Sequence, residues 1–177
     1  MGPGSLDNMT NIWLPLIKGA GPSWAGQPVL EATCDAGDAT QQWEVPAGGA
    51  GPLRHVASGL CAGGDAGQPL SLADCGAVPL WEVRADGSIA RGAGGSCVSW
   101  NAIDDLPHQP GNAIIAYACD HPPAWNEVWA APAPGARGLI RAALGYHNHT
   151  ENLCAAVAQG QQPWTLPWNP AWRLKDF

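Results

Sequence analysis

The side chains with the most chemical capacity in this 177-residue chain are six cysteines, five histidines and a thin scatter of carboxylates. His147, His149 and Glu151 alternate at the spacing of one strand face, an arrangement able to clamp a divalent metal. They also straddle the sequon at Asn148, and polar loops commonly carry such groups, so the expectation is no metal centre and no cofactor. A Gly-x-Ser-x-Gly elbow, a zinc-protease helix motif and a phosphate-binding loop are all missing from the sequence. The cysteines are even in number and recur at comparable places, which leaves no spare thiol for catalysis. These residues point away from an enzyme and towards a binding or structural role.

The elements that must carry them come as a phrase spoken three times. Residues 29–34 read as a strand ending in Cys34, and after a short polar gap Gln41, Gln42 and Trp43 open another strand. Residues 69–75 end in Cys75 and lead to Trp81; residues 113–119 end in Cys119 and lead to Trp129. These three Trp anchors lie 38 and 48 residues apart, the signature of a threefold repeat. Composition agrees with short strands and many turns. Charged residues make up only 13% of the chain, and Gly (23) with Pro (17) reaches 40 residues, so there is little material for exposed helices. The ten Trp are expected to fill the core with few residues, each burying about 150–250 Å². Asp86-Gly87 reads as a tight hairpin turn. Two readings compete at residues 151–159: a short helix capped by Thr150 and closed by Gly160, or the strand that the repeat pattern wants at Leu153 and Cys154.

The expected domain organisation follows. Residues 1–5 read as a start codon plus a protease-site scar from expression. Residues 6–24 are an irregular segment, apolar at 12–17 but broken by Pro15. Residues 25–160 hold the repeats, and 161–177 form a strap with Trp164, Trp168 and Trp172 among prolines. A net charge of −7 argues against nucleic acid and anionic membrane as partners, and no run approaches the length of a membrane span. The sequons at Asn8 and Asn148, joined to the cysteine pattern, favour a secreted, extracellular or lumenal location.

Gln41-Gln42-Trp43 is a Gln-x-Trp motif, and the second repeat carries Gly59-Leu60-Cys61, Leu72 with Cys75, Trp81-Glu82-Val83 and Asp86-Gly87-Ser88-Ile89. The set resembles the ricin B-type lectin repeat over about residues 25–155. That resemblance implies an all-β fold, a β-trefoil of three pseudo-symmetric repeats closed by the N- and C-terminal segments. Its Trp43, Trp81 and Trp129 would fill the core while Gln41 satisfies backbone groups. The first repeat lacks its opening Leu-Cys half, which Leu153 and Cys154 would supply. The disulfides implied are Cys61–Cys75, Cys97–Cys119 and Cys34–Cys154.

In that family a sugar site combines an Asp two residues after a repeat's first Cys, an aromatic two residues before its second, and an Asn beside the Gln of Gln-x-Trp. Carboxylate and amide bond the hydroxyls, and the ring packs on the apolar face of the pyranose. The second repeat has Gly63 and Ala73 at the first two places, and the first repeat has Ala156 and Ala32, so both are expected to be inactive. The third keeps Tyr117 and Asn126, has Ser99 in place of Asp, and adds an insert carrying Trp100, Asn101, Asp104, Asp105 and His108, either acid of which could substitute. The competing reading makes Tyr117 a cap residue and Asp104-Asp105 a solvated turn. The expected function is a non-catalytic carbohydrate-binding module of a larger secreted protein, with a galactose-type glycan as partner. The alternative is a degenerate trefoil that serves as a structural or docking domain against a neighbouring domain.

Overall fold

Apolar residues alternate with small or polar ones between closely spaced Gly and Pro, and the chain answers with short strands. The structure is a computed structural model that describes residues 23–91, 95–100, 110–143 and 152–158. Among these the fold is all-β, with no α-helix and three 3₁₀ turns at Ala39–Gln41, Cys75–Ala77 and Trp125–Glu127. His147, His149, Glu151, Asn8, Asn148, Asn101, Asp104, Asp105 and His108, and the segments 1–22 and 159–177, lie outside the described residues.

The strands are β1 (Val29–Thr33), β2 (Trp43–Glu44), β3 (Arg54–His55), β4 (Cys61–Gly63), β5 (Ser71–Ala73), β6 (Trp81–Val83) and β7 (Ile89–Arg91). They continue with β8 (Ser96–Trp100), β9 (Ile114–Ala118), β10 (Trp129–Ala130), β11 (Arg137–Gly138), β12 (Arg141–Ala142) and β13 (Leu153–Val157). Three antiparallel sheets form, in the orders β11-β2-β3-β4-β5, β6-β7-β8-β9 and β10-β12-β13-β1, and none closes into a barrel by itself. Each holds the same run of four: a Trp strand, its hairpin partner, a strand with a first cysteine and a strand leading to a second. The register repeats as well. Cys61 faces Ala73, Cys97 faces Tyr117 and Cys154 faces Ala32. On their other side the same cysteines face Arg54, Ala90 and Arg141. Single bridges such as Gly51 to Trp81, Pro69 to Ile115 and Leu30 to Ala113 tie the sheets together.

The disulfides are Cys34–Cys154, Cys61–Cys75 and Cys97–Cys119, the pairs implied by the resemblance. The first spans 120 residues and staples β1 to β13. Residues 153–157 therefore take the strand of the two competing conformations, because β13 is paired on both sides, by β1 and β12. Asp86 and Gly87 do make a hairpin turn: Gly87 has φ 93°, and the Arg84 N–H donates to the Ser88 carbonyl at 2.8 Å.

One core runs through all three sheets, and three of its indoles are anchored alike. Trp43 Nε1 donates to the Ala155 carbonyl (3.0 Å), Trp81 Nε1 to Ala62 (2.9 Å) and Trp129 Nε1 to Val98 (2.8 Å). Each acceptor is the residue that follows a first cysteine. A buried indole N–H needs a partner, and these bonds fix where each ring lies as well as satisfying it. Val45, Leu53, Leu70, Leu72, Ile89, Ile114 and Ile140 pack around them.

Candidate functional site

The third repeat's face is built on β8, β9 and the turn Trp125–Glu127. Tyr117 sits opposite Cys97, half-buried, against a small cluster of Ala113 and Ile115. The strand alternation of β8 sends its two faces to different places. Cys97 and Ser99 lie on one side, and Ser99 is fully buried with its hydroxyl 3.5 Å from the Cys97 carbonyl. Val98 and Trp100 lie on the other, in the core. Trp100, named among the expected sugar-site residues, is 1% exposed and packs edge-on to Trp125 (5.2 Å) and Trp129 (6.0 Å). Val98 two residues before it carries the signal, since both share the apolar phase of one strand. Asn126 is half-buried and its Nδ2 donates to the Trp100 carbonyl at 3.1 Å, so its amide is tied to the framework. The structure thus brings Tyr117, Asn126 and Trp100 to one region but leaves only Tyr117 and Asn126 near the surface.

Glu127 stands where the first repeat has Gln41, two residues before the anchoring Trp. Gln41 Oε1 accepts from the Asp35 N–H at 3.0 Å and its Nε2 donates to the Thr33 carbonyl at 2.9 Å, as expected of a residue that satisfies backbone groups. Glu127 Oε1 accepts in the same way from the Asp120 N–H at 3.0 Å. Asp35 and Asp120 each follow a second cysteine. Burial pushes the Glu127 carboxyl up to about 7 against the pull of the Asp120 N–H, and the carboxylates of Asp120 and Asp86 add to the rise. A protonated carboxyl offers one donor and one acceptor, the pair that the Gln41 amide uses. The Cys97 and Cys119 sulfurs lie with the Glu127 carboxylate within 4.8 Å, but they are joined to each other and supply no thiolate for a metal.

The second repeat's face differs. Gly63 and Ala73, at the places of the family's acid and aromatic, line a cavity of about 320 Å³ together with Ser71, Val78, Pro79 and Arg91. An Asp at position 63 has no room, because a Cβ there would meet Val78 Cβ at 2.8 Å and Pro79 Cδ at 2.9 Å. Pro79 itself stands at the Gln41 place. Sequence reasoning set this face aside for lacking two residues and did not consider Arg91, whose Cζ lies 5.3 Å from the Trp81 ring centroid.

Comparison with family models, with curated proteins and with solved structures finds no match for this chain.

Proposed function

We propose that the protein is a ricin B-type β-trefoil and acts as a non-catalytic carbohydrate-binding module. The observation that carries this reading is the threefold recurrence of one bond: an anchoring indole N–H to the carbonyl after a first cysteine, in three sheets of the same strand order. Three units that cannot each bury an apolar face would share one core by closing together. Tyr117 is the ring of the sugar site, and Asp104 or Asp105 supplies its carboxylate. Three disulfides support assembly in an oxidising compartment and hence a secreted or lumenal protein. A galactose-type sugar is the ligand that the resemblance favours. A glycan array with the wild type and Tyr117→Ala tests it: binding is expected for the first and lost in the second.

A second reading has its own support. Trp100 is in the core, Asn126 holds the Trp100 carbonyl, and Ala32 and Ala73 occupy two of the three aromatic places. On this reading the trefoil docks against a neighbouring domain and binds no sugar. Silence of both proteins on the array decides for it.

A further inference from the structure

We propose that the cavity of the second repeat binds the carboxylate of a small acidic saccharide, with Arg91 as the group that recognises the anion. The cavity is about 320 Å³, at the small end of the range for ligand pockets of about 300–1,000 Å³. Its wall is the β4–β5 hairpin and the segment Val78–Pro79, and Arg91 enters from β7. Small side chains create it. With Gly63, Gly64 and Ala73 along the hairpin, no aromatic ring stands at the register that Tyr117 takes in the third repeat.

The charge of Arg91 is what selects the ligand. Of the arginines among the described residues, Arg54 and Arg137 both pair with Glu44, Arg84 lies 3.9 Å from Glu82, and Arg141 donates to Asn152 Oδ1 at 2.8 Å. Arg91 has no carboxylate or amide partner among the described residues. Its Nε is shielded from solvent with no hydrogen-bond acceptor there, and its guanidinium rests over the Trp81 face. That ring is itself fixed by the bond from Trp81 Nε1 to the Ala62 carbonyl. Stacking on an aromatic holds a guanidinium in place without neutralising it, so the planar fork is preorganised for an anion. A carboxylate matches such a fork geometrically. Another groove among the described residues, about 270 Å³ and lined by Arg54, lacks this property because that guanidinium already bonds the Glu44 carboxylate at 2.8 Å. The rest of the lining suits a sugar. Asp65 offers a carboxylate and Ser71 a hydroxyl to ligand hydroxyls, while Val78 and Pro79 offer an apolar wall.

This site is separate from Tyr117, so either can fail alone. The test is a titration of the full chain with glucuronate, followed by two-dimensional NMR that includes the arginine Nε–H signals, with glucose and inorganic sulfate as parallel arms. Saturable shifts at Arg91, Ser71 and the β4–β5 hairpin are expected with glucuronate and not with glucose. Arg91→Gln is expected to lower affinity at least tenfold. Because Arg91 packs on Trp81, a second variant leaves it alone: Ala77→Trp, at an exposed position on the cavity rim, is expected to block binding while the indole signals stay native. No saturable shift with glucuronate overturns the proposal, as does undiminished binding in Ala77→Trp. A sulfate response equal to that of glucuronate overturns the saccharide assignment.

Discussion

Two faces of the molecule have the same framework and opposite contents. In the second repeat, Cys61 faces Ala73 and a hollow opens beside Arg91; in the third, Cys97 faces Tyr117 and the equivalent surface carries a ring. The position two residues before the anchoring Trp is Pro79 in one and the buried acid Glu127 in the other. Strand order and the pairing opposite the first cysteine agree, so within the described strands the difference comes from a handful of side chains. One frame thus offers an aromatic ring on one side and a hollow lined by Arg91 and Asp65 on another.

The comparison can be broken most severely at Gly63. Gly63→Asp supplies the acid that the family pattern wants, but the contacts with Val78 and Pro79 make it an overpacking change. It is expected to cost about 2–4 kcal/mol, read as a lower urea midpoint, and not to create a galactose site.

Next comes Glu127→Gln, which makes the third repeat resemble the first. Glu127 has its folded pKa raised, so the stability it brings is present below its ordinary value of about 4.5 and lost as pH rises through about 7. The variant should match the wild type near pH 5 and exceed it at pH 8 by on the order of 2–3 kcal/mol, measured by urea unfolding at both pH values. His55 acts in the opposite sense. Burial between Trp24 and Trp43 lowers its pKa, so its contribution is present above its ordinary value and lost as pH falls through the lowered one. The two slopes partly offset each other in the wild type, and Glu127→Gln should expose the acid-side loss due to His55.

Asn126→Ala removes the bond to the Trp100 carbonyl and is expected to cost about 1 kcal/mol, seen as a small fall in melting temperature. Glucuronate binding at the second repeat should not change. The smallest effect on stability belongs to Ala73→Tyr, which places a ring at the register that Tyr117 occupies. Its unfolding free energy, measured by urea titration, should change by less than about 0.5 kcal/mol while glucuronate binding disappears, since exposed or half-exposed positions tolerate change.

Much of the frame is legible in the sequence because it depends on residues that are large, few and repeated. Trp43, Trp81 and Trp129 recur with Cys partners, and a buried indole beside a disulfide strand leaves little freedom for alternatives. The sites are less legible. Trp100 sits next to a polar insert and looks exposed until its phase with Val98 on β8 is considered. Arg91 escapes notice because its cavity is made by what Gly63, Gly64 and Ala73 lack, and a pattern search finds side chains rather than hollows. Glu127 stands at the Gln41 place, but only its enclosure turns an ordinary acid into a proton-holding copy of an amide.

The Cys34–Cys154 bond also decides how the molecule would bear a load. Val29 lies beside Val157, so the two ends of the described fold leave in company, and the covalent link sits a few residues inside them. Tension applied there would peel the outermost residues and then halt at sulfur, sparing everything between Cys34 and Cys154 from strain. Under a reductant the same pull would unzip β1 from β13 and run on into the interior, so single-molecule stretching should give a short, stiff trace when oxidised and a long one when reduced.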